Sequence, residues 1–245
     1  MSALAGRRIL VTRPRELAQG LAALIAQAGG EPVLYPALEI RDPEDAGAAR
    51  AALARLQEFD LAVFVSPSAA RKALELLARP WPARVRVAAL GAGTRRELEA
   101  RGVRRIIAPQ EGADSEALLA LPQMRRIAGS RVLILRGAGG RELLGETLAA
   151  RGARVSAVEC YRRARPAAGA APAGTLDAAC ANSSETLENL VALLGHARLR
   201  DTPLFVPHER VARRAREMGF AAVEVAGPGD AQMLARLLAY FGGAK

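Results

Sequence analysis

A chain of 245 residues, 51% of them hydrophobic, can bury a large core, and its length suits two domains or one large one. No stretch approaches the roughly 18 to 20 apolar residues of a membrane span, and Met1 leads almost directly into an apolar strand without a signal-peptide layout, so a cytoplasmic protein with no membrane contact is expected. Cys160 and Cys180, His196 and His208 stand apart without metal-ligand spacing, which removes zinc and Cys–His chemistry, while a net charge of +10 carried almost wholly by arginine favours an anionic partner, nucleic acid or a small polycarboxylate or polyphosphate.

The first strand, Ile9-Leu10-Val11, leads through Thr12-Arg13-Pro14 into a helix whose stripe of Leu17, Leu21, Leu24, Ile25 and Ala28 ends at Gly29-Gly30. Leu34 to Ile40 then reads as a crossing between lobes. A second strand, Leu61 to Val65, is followed by Ser66 as N-cap and Pro67 in the first helical turn. A third, Val85 to Gly91, meets a turn Gly91-Ala92-Gly93-Thr94 and a helix running to Gly102.

The segment RVLILRGAGGRELL, Arg131 to Leu144, is a strand, a glycine-rich turn and a helix start. The dinucleotide fingerprint fails, since the sixth position counted from Gly137 is Glu142, and a Walker loop fails for want of Lys and Ser/Thr. What remains is a turn through Gly137, Gly139 and Gly140 whose backbone N–H groups, with Arg136 beside them, suit an anion. The alternative is a tight βα turn in which glycine supplies only conformational freedom. Ala157 to Arg163 forms a second crossing segment.

The sequence also repeats itself. Arg7 onward lies over Ser130 onward at a shift of 123, placing Arg13 on Arg136 and Gly29 on Gly152. Phe59 onward lies over Leu176 onward at a shift of 117, pairing Asp60 with Asp177, Ser66 with Ser183 and Gly102 with Gly219. Each repeated module is β-loop-α, so the expected fold is two similar parallel-sheet α/β domains, flavodoxin-like and duplicated. Ligands in such sheets bind beyond the carboxyl ends of the strands. That singles out Thr12 to Pro14, Ser66 to Ser68, Gly91 to Thr94, Arg136 to Gly140, Asn182 to Ser184 and Pro207 to Arg210, loops expected to line one cleft between the domains. For each Ser or Thr among them, helix capping is the competing role.

ILVTRP, SPSAARKAL, LGAGTRREL, IAGSRVLILRGAGGRELLGETLAARGARV with VECYRR, and VPHERVARRAREMGF with DAQMLARLL together resemble uroporphyrinogen-III synthases of the proteobacterial type, over nearly the whole chain. The resemblance implies a first domain of residues 1–36 plus 165–245, a second of 41–158, and a two-stranded linker of 37–40 and 159–164. It implies a monomeric cytoplasmic lyase of tetrapyrrole (porphyrin and haem) synthesis that needs no metal or organic cofactor. The substrate would be hydroxymethylbilane, a linear tetrapyrrole with eight carboxylates, cyclised to uroporphyrinogen III with inversion of ring D and loss of water. The preceding and following pathway enzymes are candidate partners, and nucleic acid and membrane are not.

Carried over by position, Tyr161 matches the family's tyrosine and is the catalytic candidate, with a packed linker tyrosine as its alternative. Thr94 matches the family's threonine and Ser66 the serine after the second strand. The repeat counterpart of Thr94 is Val211, where many members have threonine, so Arg210 or backbone N–H groups take that place. Arg13, Arg136, Gly137, Gly139 and Ser183 complete the expected substrate-binding set, either arginine being able to brace its turn instead. A non-catalytic, two-lobed anion-binding protein is the rival reading. Nucleic-acid binding has weak support, with aromatics at 4% and no base-stacking motif.

Overall fold

The computed structural model describes residues 3–112, 114–139 and 142–243. Gly140, expected in the anion turn, lies outside them. The chain divides into two compact units, Met1–Glu39 with Ala164–Lys245, and Ile40–Arg163. Unit 1 begins with β1 (Arg8–Val11), α1 (Arg15–Gln27) and β2 (Glu31–Leu34). Unit 2 holds β3 (Glu39–Arg41), α2 (Ala46–Ala54), β4 (Leu61–Phe64), α3 (Pro67–Leu77), β5 (Arg86–Ala89), α4 (Ala92–Ala100) and β6 (Ile106–Ile107). It continues through α5 (Ser115–Ala120), α6 (Pro122–Arg125), β7 (Arg131–Gly137), α7 (Leu143–Ala150) and β8 (Arg154–Ala164). The chain returns to unit 1 with β9 (Ala178–Cys180), α8 (Ser184–Leu194), α9 (His196–Leu199), β10 (Leu204–Val206), α10 (Glu209–Glu217), β11 (Val223–Val225) and α11 (Asp230–Gly242).

Unit 1 is a parallel sheet of order β2-β1-β9-β10-β11. Unit 2 has the order β3-β8-β7-β4-β5-β6, parallel from β8 to β6. The repeat pairs β1 with β7, β2 with β8, β9 with β4, β10 with β5 and β11 with β6. Both sheets therefore have one spatial order, entered by the chain at different strands, and β3 is an addition on the edge beside β8. The expected duplicated α/β fold is the one observed. The expected linker segments fall largely within β3 and β8 of the six-stranded sheet.

Helices cover both faces of each sheet, which is why inner strands such as β1, β9, β4 and β7 carry continuous apolar runs, whereas β2, β3 and β11 at the edges carry Glu. In unit 1, Ile9, Val11, Cys180 and Phe205 pack with α1 and α11, while Leu10, Ala179 and Val206 pack with α8 and α10. In unit 2, Ala62, Phe64, Leu133 and Leu135 face α3 and α4, while Leu61, Val63, Val132 and Ile134 face α5 and α7. Phe64 and Phe205 are fully buried, and side chains of this size contribute about 1.5–3 kcal/mol each when buried. No helix among the described residues is long and apolar enough to cross a membrane.

Cys160 and Cys180 are buried free thiols, and burial pushes each pKa up to about 12. A thiol reagent acts on the thiolate. Both cysteines are expected to resist Ellman's reagent in the native protein at pH 8 and to react fully in denaturant, which stopped-flow absorbance measures; rapid labelling of either native thiol would contradict this packing.

Candidate active site

The candidate site in unit 2 is built on the pairing of β4 with β7. Their register sets Phe64 opposite Leu135, and Val65 N–H donates to Leu135 O at 3.2 Å, which brings Ser66 level with Gly137 at the carboxyl edge. On the other side of β7, Arg136 pairs with Glu159 but Gly137 pairs with Tyr161, leaving Cys160 as an extra residue. This bulge breaks the alternation of β8, so that the neighbours Cys160 and Tyr161 are both buried. Bulges re-aim side chains, and this one lays the Tyr161 ring over Gly137. A Cβ at residue 137 would lie 2.5 Å from Tyr161 Cζ and 2.9 Å from its hydroxyl oxygen. The ring is 6% exposed, and its hydroxyl lies 3.1 Å from Ser66 Oγ.

Ser66 is also the N-cap of α3, accepting the Ala69 N–H at 3.0 Å, with Pro67 at the first helical position as the sequence suggests. Ser66, Gly137 and Tyr161 thus form one contact group. Thr94 belongs to the first turn of α4, which follows the neighbouring strand β5, and Gly93 of that turn lies against Pro67. The turn expected at Gly91 to Thr94 is instead N-cap and first turn: Gly91 is the N-cap and Thr94 is buried. Gly91 has no side chain with which to cap α4, so a bound carboxylate can complete its first N–H groups.

Arg136 goes the other way. It shares its face of β7 with Ile134, at the mouth of a cavity of about 480 Å³ walled by Val65, Leu90, Ile134 and Leu144. Its Nη1 donates to Glu142 at 2.8 Å, while its buried Nε has no partner among the described residues. The glycine turn departs from expectation. Gly137 belongs to the strand, Ala138 N–H is taken by Tyr161 O at 2.9 Å, and α7 begins only at Leu143. Gly139, at φ +70°, supplies the left-handed turn that glycine favours.

In unit 1, Arg13 is ion-paired with Asp230 at the start of α11, and Gly20 lies so close to that carboxylate that a Cβ would meet it at 2.5 Å. Ser183 caps α8, accepting the Thr186 N–H at 3.1 Å and bonding Thr186 Oγ1 at 2.9 Å. Arg210 is exposed in the first turn of α10, beside Val211, which packs into the core. His208 starts α10 without a side-chain cap bond, as Gly91 starts α4. Glu142 and Asp230, the internal partners of the two arginines, were not singled out from sequence. The only signal for Glu142 was its place six residues after Arg136.

The seat of Tyr161 makes Gly137 a steric requirement. Gly137→Ala should displace the ring and cost about 1–3 kcal/mol of stability, the usual range for overpacking, read as a lowered urea midpoint with an unchanged m-value. Parent stability in this variant would show that the ring is not seated as described.

The uroporphyrinogen-III synthase HemD family model matches residues 19–235. The chain is 38% identical over 244 residues to the uroporphyrinogen-III synthase of Salmonella typhimurium, and 36% identical over 243 residues to that of Escherichia coli. Each match covers 94% of this chain and 99% of the relative. Among solved structures, the uroporphyrinogen-III synthetase of Helicobacter pylori superposes with a TM-score of 0.64 at 12% identity, covering 96% of this chain and 99% of that one. A mutant uroporphyrinogen III synthase of Thermus thermophilus gives 0.57 at 20% identity, covering 96% and 100%. These distant likenesses bear on the fold alone. On the family model and the near full-length bacterial relatives, the chain belongs to the uroporphyrinogen-III synthase family.

Proposed function

We propose that the chain is a lyase that closes hydroxymethylbilane into uroporphyrinogen III with inversion of ring D and loss of water. The observation that carries the chemistry is the Tyr161 hydroxyl, oriented by Ser66 at the carboxyl edge of a parallel sheet. The bilane loses its hydroxyl readily and closes unaided to the wrong isomer, so the main task is to hold one folded geometry. Tyr161 assists departure: its proton goes to the leaving oxygen, the carbon–oxygen bond breaks, and water leaves with the bonding pair. The proton released when the macrocycle closes restores the phenol.

The eight carboxylates are the handles for positioning. Arg136, which lines the cavity beside Glu142, receives one, and the N-terminus of α4, capped by a glycine without a side chain, receives another beside Thr94. Gly139 gives backbone access at the glycine turn. Arg13, Arg210 and the Ser183 loop serve the same end in unit 1, with Asp230 competing at Arg13. Hydrogen bonds to charged groups contribute roughly 1.5–3 kcal/mol each, so several offset the ordering of a flexible bilane. The protein acts as a cytoplasmic monomer on this small molecule, without nucleic acid or membrane.

Freshly prepared bilane tests the reading. Protein should accelerate formation of the III isomer, whereas formation of only the spontaneous I isomer would leave an anion-binding protein. Tyr161→Phe should lower kcat by about 10²-fold, the lower range for loss of a positioned acid, with little change in melting temperature. Unchanged turnover would make Tyr161 structural. Arg136→Ala should raise KM about tenfold, equivalent to about 1.4 kcal/mol, and an unchanged KM would exclude a carboxylate contact there.

A further inference from the structure

The two units carry the same serine cap and use it differently. Ser183 and Ser66 are repeat equivalents with nearly the same backbone, φ −156° and ψ 163° against φ −160° and ψ 161°. Each hydroxyl oxygen accepts the N–H three residues on. In unit 1 the second bond is local, to Thr186 Oγ1. In unit 2 the position equivalent to Thr186 is Ala69, which has no hydroxyl, and the second bond goes to Tyr161. The repeat equivalent of Tyr161 is Leu38. The two differences are therefore matched: where the strand position holds Leu38 the cap bonds its own helix, and where it holds Tyr161 the helix has Ala69 in place of a competing threonine.

A serine hydroxyl has one proton and two lone pairs. With one lone pair on the Ala69 N–H, Ser66 still has its proton to give. The geometry points to Ser66 as a positioning residue that donates its hydroxyl proton to Tyr161 Oη, leaving the phenol's own proton free for the substrate's hydroxyl. The chain runs from Ala69 N–H to Ser66 Oγ, from Ser66 O–H to Tyr161 Oη, and from Tyr161 O–H to the leaving oxygen. As that last proton transfers, negative charge develops on Oη beside a donor whose oxygen sits at the positive end of α3, an 11-residue helix. Each bond in such a chain polarises the next. The opposite arrangement, Tyr161 donating to Ser66, turns the acidic proton away from the substrate. The assignment rests on Tyr161 being the acid proposed above, and it makes Ser66 a partner of the phenol in place of a substrate ligand.

Three variants separate donation from capping. Ser66→Thr keeps both, Ser66→Asp caps the helix but has no proton to give, and Ser66→Ala loses both. The measurements are kcat and KM for hydroxymethylbilane, melting temperature, and the Raman doublet of Tyr161 taken as a difference from Tyr161→Phe, which reports whether a phenol oxygen accepts or only donates. Ser66→Thr should turn over close to the parent. Ser66→Asp should melt close to the parent yet lose about 10- to 10²-fold in kcat, reaching only the lower end of the loss for a donor removed directly from a developing anion, with KM changed far less. Its Raman doublet should move to the donor-only form. Parent-like turnover in Ser66→Asp beside an impaired Tyr161→Phe would overturn the assignment and leave Ser66 a cap. An unchanged doublet in both Ser66→Asp and Ser66→Ala would overturn it as well. Full turnover by Tyr161→Phe would instead remove the acid reading, and with it any part for Ser66 in the reaction.

Discussion

The parallel pairing of β4 with β7 is the constraint on which the candidate site depends. Both strands are covered by helices on each face, so their register cannot slip without moving apolar side chains such as Phe64 and Leu135 out of the core. That register makes Ser66 and Gly137 neighbours, although they are far apart in the chain. The bulge at Cys160 then brings Tyr161 over the glycine, and the helix cap at Ser66 meets the phenol. Packing fixes the register, the register fixes the loops, and the loops fix the position of one hydroxyl.

The duplication explains why there are two shifts in the sequence. Unit 1 read in chain order has the spatial arrangement 2-1-3-4-5 of a doubly wound sheet, while unit 2 enters the same arrangement at its middle strand. Strand pairs that precede this entry point in one unit follow it in the other, so two offsets are needed to overlay them. Within this shared frame the units differ at positions of chemical weight. Thr94 and Val211 occupy the same place in the first turn of α4 and α10, one a buried hydroxyl and the other a core methyl pair. Tyr161 stands against Leu38, and Ala69 against Thr186. Unit 2 holds the polar member of the first two pairs and gives up the hydroxyl of the third.

Several arginines sit in ion pairs with the chain's own carboxylates and add nothing to the net charge of +10. Arg95 with Glu99, Arg101 with Glu97, and Arg214 with Glu188 and Glu217 are exposed helix-surface pairs, a kind worth only a few tenths of a kcal/mol to about 1 kcal/mol each. The repeat-related arginines are different. Arg13 and Arg136 are mostly buried, and each already holds a carboxylate of its own chain, Asp230 and Glu142. Such a pair keeps a partly desolvated guanidinium in place.

Much of the fold was legible in the sequence. Apolar runs such as Ile9 to Val11, helical stripes ending in glycine, and Ser66 before Pro67 are local signals, and the repeat supplied the pairing of modules. Spacing also placed the candidate residues at the carboxyl ends of strands, because parallel α/β units always turn into helices there. The family tie was carried by motifs spread over nearly the whole chain. What the sequence left open were contacts between distant residues. Nothing local distinguishes Gly137 as the seat of a ring from Gly139 as a left-handed turn; only the strand beside it does. Nor does period two foresee a bulge at Cys160, or tell that Arg136 and Gly137, adjacent in sequence, face α7 and α3 respectively. Those outcomes depend on register and burial across the sheet, so only the tertiary structure could decide them.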